Sequence, residues 1–148
     1  VVIHPQSIIH SMIEMKDGSI KAQMGVPDMK VPIQYALTYP NHVMTKNKRL
    51  DLTKLKTLNF EKPDLEKFKC IKLAYNALRL GASYPIVLNV ANDLCVAAFL
   101  KDKIKFIDIP NYIEDTLEQH TACNIDNIES IFDVINDTKE YIKQRINN

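Results

Sequence analysis

At 148 residues the chain has room for one ordinary domain, or for a small helical domain joined to part of another, and not for two complete domains. Hydrophobic residues make up 46% and charged residues 25%, the usage of a chain that packs a core, which excludes disordered and collagen-like classes. A net charge of +1 supplies no field that would gather phosphates along a surface, so nucleic acid is excluded as a partner on electrostatic grounds.

The chain opens at Val1 inside an apolar run, VVIHPQS, with neither an initiator Met nor a basic leader ahead of it, and so reads as a cut through a longer polypeptide. Ile8 to Gly25 reads as two strands around Asp17-Gly18, a dipeptide that tolerates the positive φ angles of a two-residue hairpin turn. That turn sets Lys16 against Ser19, and then Met15 against Ile20, Ile13 against Ala22 and Ser11 against Met24 on one mostly apolar face. The opposite face pairs Glu14 with Lys21, Met12 with Gln23 and His10 with Gly25, immediately before the Val26-Pro27-Asp28-Met29 loop. His10 and that loop are therefore expected to be neighbours.

A short helix is expected over Pro32 to Tyr39, since proline suits a first helical position and Pro40 closes the segment, although Val31 is a poor N-cap. A lone hairpin is marginal in water, and one short helix cannot cover both of its faces. Residues 1–40 are thus expected to be part of a larger domain that supplies further strands or helices. Residues 41–63 show little periodicity and several lysines, as a connecting arm between domains does, which places a boundary near Pro63.

Beyond Pro63 the pattern turns helical. Leu65, Phe68, Ile71, Leu73, Ala74, Ala77 and Leu78 recur at helical spacing and stop at Gly81, a good C-terminal cap. A second helix is expected from Pro85 to about Lys101, with apolar residues nearly all the way round, as in the central member of a bundle. A third starts at Pro110, and a fourth carries Ile128, Ile131, Phe132, Ile135, Ile142 and Ile146, opened by an Asp126 to Glu129 capping box. Four helices on short loops can bury their own faces, so residues 64–148 are expected to be a self-standing bundle. The fold class is α+β: an antiparallel hairpin and helix completing a larger α/β catalytic domain, then a four-helix-bundle-like domain.

Cys70, Cys95 and Cys123 are odd in number, widely spaced and never in a CxxC arrangement, which indicates neither a disulfide framework nor a zinc site and fits a reducing compartment. The most apolar stretches, Pro85 to Val90 and Cys95 to Leu100, fall short of a bilayer span, so no membrane association is expected and the chain reads as soluble. His4 and His10 alone are too few for a metal site. Asn89 and Asn92 read as buried amides that tie helices or loops together. The lysines and Arg49 between Lys46 and Lys56 read as a solvated arm, since no aromatics interleave them. Gly18, Gly25 and Gly81 form no dinucleotide or phosphate loop.

Taken together, HPQSIIHSM, DGS, GVPDM and PIQYALTYP in the first forty residues, with PIVLNVANDLCVAAFLKDKIKFIDI further on, resemble the 1-deoxy-D-xylulose 5-phosphate reductoisomerase family over nearly the whole chain, more loosely after His120. Lys30, Val31, Lys69 and Asp93 depart from the residues usual there. The resemblance implies an NADPH-dependent oxidoreductase using Mg²⁺ or Mn²⁺ to convert 1-deoxy-D-xylulose 5-phosphate to 2-C-methyl-D-erythritol 4-phosphate in non-mevalonate isoprenoid synthesis. It implies a homodimer in a bacterial cytoplasm or a plastid-type organelle such as an apicoplast; richness in Ile, Lys and Asn hints at the latter. The family's metal ligands lie ahead of HPQS, so no metal ligand is expected here, and Lys46-Asn47-Lys48 is not the family's ligand-bearing Asn-Lys pair. The chain alone is expected to be inactive, its partners being the NADPH- and metal-binding parts of the same enzyme.

Residue by residue, the matching GVPDM loop implies Pro27 and Met29 as apolar contacts near the nicotinamide, with Asp28 as a turn or cap residue. His10 is implied as a residue acting through a hydrogen bond behind the site, and His4 as structural. The rival reading is a non-catalytic dimerisation or docking module derived from the tail of such an enzyme.

Overall fold

The computed structural model describes residues 1–147. Its described residues form two strands, β1 (Ile9–Glu14) and β2 (Ile20–Met24), and five α-helices, α1 (Lys30–Thr38), α2 (Cys70–Leu80), α3 (Tyr84–Phe99), α4 (Ile109–Gln119) and α5 (Ile128–Asn147). This is the mixed α+β class expected from the sequence. The chain divides into two compact units, Val1–Pro63 and Asp64–Asn148.

In the first unit β1 and β2 pair antiparallel, but one residue out of the expected register: Glu14 faces Ile20, Ile13 faces Lys21, Met12 faces Ala22 and Ser11 faces Gln23. The cause is the turn. Met15 N–H donates to the Ser19 carbonyl at 2.8 Å, so Lys16, Asp17 and Gly18 form a three-residue loop, with Gly18 at φ +83° where a side chain would be strained. The Asp17 carboxylate accepts from both the amide and the hydroxyl of Ser19, which locks the loop and lowers the Asp17 pKa. In this register Ile9, Met12, Glu14, Ile20, Ala22 and Met24 share one face and Ser11, Ile13, Lys21 and Gln23 the other, so the expected mostly apolar and mostly polar faces are found with the β1 residues exchanged between them, and all of β2 is exposed.

The helix after the hairpin begins at Lys30, two residues ahead of the expected start, which puts Pro32 at its third position. The first N–H groups of a helix have no partner within it, so a proline costs little there. The segment 41–63 returns to the first residues of the chain: Ile3 and Glu61 exchange backbone hydrogen bonds of 2.9 and 3.0 Å, and His4 stacks on Phe60 at 4.8 Å. Ile8 is the one buried residue of this unit.

In the second unit α3 packs against α2, α4 and α5, as its nearly all-round apolar surface requires. Leu73, Ala91, Cys95, Ile109, Ile113 and Ile142 form the core. The helix expected from Leu65 begins only at Cys70. A separate turn precedes it: the Asp64 carboxylate accepts from the N–H groups of Glu66 and Lys67, both at 3.0 Å, and its carbonyl from Phe68 N–H at 2.9 Å. At α5 the cap lies one residue later than expected, with Asn127 Oδ1 accepting from Ser130 N–H at 2.8 Å in place of the Asp126 to Glu129 pair. Asn89 is exposed and Asn92 half-buried, so the expectation of two buried amides tying the helices together is corrected.

Candidate functional site

The loop between β2 and α1 is built from the backbone outwards. Gly25 N–H donates to the Ile8 carbonyl at 3.0 Å, fastening the start of the loop to the buried end of β1. The Asp28 carboxylate accepts from Lys30 N–H at 3.0 Å and its carbonyl from Val31 N–H at 3.3 Å, so Asp28 caps the entry to α1 and its charge is turned to the backbone. Met29 stands at the N-cap position with 69% of its surface exposed, and Pro27 is exposed beside it. What this loop offers outward is a thioether and a pyrrolidine ring, neither of which donates a hydrogen bond.

His10 does not face Gly25 as the expected register requires. The ladder is irregular between Ile9 and Ser11, and this bulge leaves His10 as the extra residue. Its Nδ1 lies 3.2 Å from the Ile8 carbonyl, the same oxygen that accepts from Gly25 N–H. A carbonyl can only accept, so the Nδ1 carries a proton, and the ring is exposed. His10 and the loop thus meet through a shared acceptor.

On the other flank of the hairpin a cavity of about 390 Å³ is lined by Ser11, Gln23, Val31, Tyr35, His42 and Thr45, with Tyr35 and His42 stacked at 4.5 Å. His4 is held elsewhere, its Nδ1 2.8 Å from the Asn59 carbonyl. Asn47 N–H donates to Thr45 Oγ1 at 3.2 Å, which makes the Lys46-Asn47-Lys48 stretch part of a turn. Among the described residues no group of three or more His, Cys, Asp or Glu is placed to hold a metal ion, and no helix is long and apolar enough to cross a membrane.

The helical unit holds a second polar assembly that the sequence reading passed over. Ser83, fully buried, has its Oγ 2.6 Å from His120 Nε2 and accepts from Cys123 N–H at 3.0 Å. Burial lowers the His120 pKa against the opposing influence of Asp137. Nearby, Asp115 accepts from the Tyr141 hydroxyl at 2.8 Å and from Arg145 Nε at 2.9 Å. The Cys95 thiol is pushed up to about 11, chiefly by burial, and is inert as a nucleophile at neutral pH. Ser83 and His120 lie 37 residues apart, and no local pattern announces such a pair.

Residues 24–141 match the family described as the DXP reductoisomerase C-terminal domain. The 1-deoxy-D-xylulose 5-phosphate reductoisomerase of Chloroherpeton thalassium is 52% identical over 142 residues, which is 96% of this chain and 37% of that protein. That of Acetivibrio thermocellus is 52% identical over 134 residues, 90% of this chain and 35% of that one. The chain therefore spans little more than a third of the length of these curated relatives. Among solved structures, the Zymomonas mobilis enzyme in complex with NADPH superposes with a TM-score of 0.90 at 41% identity, covering 99% of this chain and 39% of that one. A DOX-P reductoisomerase in complex with NADPH, fosmidomycin and magnesium gives 0.91 at 40% identity, covering 99% and 38%.

Proposed function

The chain belongs to the 1-deoxy-D-xylulose 5-phosphate reductoisomerase family, and from that premise we propose that it is the part of such an enzyme that walls the hydride-transfer site and carries the C-terminal helical domain. The complete enzyme converts 1-deoxy-D-xylulose 5-phosphate to 2-C-methyl-D-erythritol 4-phosphate with NADPH and Mg²⁺ or Mn²⁺, works as a homodimer, and resides in a bacterial cytoplasm or a plastid-type organelle. Residues 1–40 complete its catalytic and dimerisation domain, 41–63 join this to the rest, and 64–148 form the helical domain.

The single observation that carries this reading is the loop: Asp28 spends its carboxylate on the backbone while Met29 is left 69% exposed. An exposed thioether at a fixed helix entry is wasted in water and useful against the face of a nicotinamide, where it excludes solvent without competing for hydrogen bonds. His10, sharing the Ile8 carbonyl with Gly25, is a positioning residue for the same loop. The residues of this chain do not fit the divalent ion, since no cluster of ligands is present among those described, so no step of the reaction is routed through a metal here.

The test has two arms. The chain by itself gives no NADPH-dependent turnover, and co-expression with the dinucleotide- and metal-binding portion of a family member restores it. Turnover by the chain alone contradicts the proposal; a complex that assembles without ever turning over favours a docking module instead. In the complete enzyme, Met29→Ala raises the Kd for NADPH about twofold to tenfold, the worth of one thioether contact with an aromatic ring. Unchanged NADPH affinity removes the assignment of Met29.

A further inference from the structure

Ser83 closes the N-terminal end of α3, its carbonyl accepting from Ile86 and Val87 N–H at 3.1 and 3.2 Å, and its side chain is fully buried. The hydroxyl has one hydrogen and two lone pairs. Cys123 N–H takes one lone pair at 3.0 Å, and the remaining close partner, 2.6 Å away, is His120 Nε2. The second lone pair could accept from an Nε2–H, but that would leave the buried hydroxyl hydrogen without a partner, so the hydrogen goes to Nε2 and the imidazole is the neutral form protonated on Nδ1. A second tie runs beside it: Tyr84 sets its ring edge-on to the imidazole at 5.2 Å and donates its hydroxyl to the His120 carbonyl at 3.3 Å. Residues 120–127, which connect α4 to α5, are thereby hung on the first turn of α3.

We propose that Ser83 and His120 form a proton-operated clasp, in which uptake of a second proton by the imidazole releases residues 120–127 from α3. Protonation turns Nε2 from acceptor into donor, and the Ser83 hydroxyl hydrogen is left without an acceptor in the interior, the costly case for a buried polar group. The charged and titratable groups around the ring come from three elements. From α3 comes Tyr84, already bonded; from the segment itself, the Cys123 thiol; from α5, Asp137 and Tyr141, which share with His120 the lining of one cavity of about 390 Å³. Asp137 favours the imidazolium, and Tyr141 is occupied by Asp115. Burial outweighs Asp137, and the His120 pKa lies below the ordinary 6.5. The sign follows: the clasp's contribution is complete above the ordinary imidazole value and is lost as pH falls from there to the folded-state value. Because His120, Thr121 and Cys123 form one wall of the cavity, release opens it towards solvent.

The experiment uses the full chain and follows the imidazole nitrogens and backbone amides by NMR between about pH 7.5 and about pH 5, the range in which histidine titrates. The expected results are an Nδ1–H tautomer for His120 at the upper end, and a protection of the Cys123 amide that falls roughly tenfold towards the lower end. His120→Gln, whose amide oxygen can accept from Ser83 without titrating, keeps the Cys123 amide protected at both ends. Ser83→Ala leaves it unprotected throughout. An Nε2–H tautomer at neutral pH, constant protection across the range, or an undiminished pH step in His120→Gln overturns the clasp. The tautomer needs no variant and decides the matter even where a substituted chain fails to fold.

Discussion

The helical unit buries Leu73, Ala91, Cys95, Ile109, Ile113 and Ile142 against one another, whereas residues 1–63 enclose Ile8 and leave Ile13, Ile20, Leu37 and Met44 in water. The contrast does not lie in hydrophobicity, for both stretches are rich in Ile, Leu and Val. It lies in what each stretch has to close upon. Four helices present apolar stripes that meet, and α3 touches all three of the others while keeping a narrow exposed stripe through Asn89, Asp93 and Ala97. A two-stranded ribbon with one nine-residue helix has two faces and too little to lay on them. Greasy side chains there are informative as surface waiting for cover, since an exposed apolar patch on an ordered element marks an interaction face.

The largest effect that sharpens this comparison is Ile142→Ala, which empties a site of 0% exposure between α5 and α3. It should cost about 2–5 kcal/mol, read from the midpoint of denaturant unfolding. A loss below about 1 kcal/mol would mean that the helical core is loosely packed. Gly18→Ala comes next. At φ +83° the new Cβ meets no neighbour, so backbone strain alone is charged, about 1 kcal/mol, and the loss should appear as faster exchange of the hairpin amides while the helices are untouched. The smallest effect is expected from Ile13→Ala. This side chain is 65% exposed, so its truncation in the chain alone should move stability by no more than about 0.5 kcal/mol. The same change in the assembled enzyme should weaken assembly, which distinguishes a face awaiting cover from one that is indifferent.

Much of the architecture was legible in the residues, and the errors were local. The hairpin announced itself through Asp17-Gly18, yet its register failed because the choice between a two- and a three-residue loop rests on whether the Asp17 carboxylate reaches back to Ser19. The start of α2 slipped from Leu65 to Cys70 because the residues after Asp64 close a turn of their own, Phe68 N–H bonding the Asp64 carbonyl at 2.9 Å, and the periodic pattern does not distinguish such a turn from the first turn of the helix. Around the candidate loop, Met29 is exposed and Asp28 is turned to the backbone, while the link from His10 runs through a bulge and a shared carbonyl that period-two reasoning cannot foresee. Ser83 with His120 was invisible for a different reason. Each residue is ordinary in its own neighbourhood, and only the packing of α3 beside the end of α4 makes a pair of them.

Separate expression of residues 1–63 and 64–148, followed by thermal unfolding under circular dichroism, tests the contrast most directly. The account predicts one cooperative transition for 64–148 and none for 1–63. A cooperative transition in the isolated 1–63 segment, with protected hairpin amides, would show that its apolar faces need no partner and would contradict it.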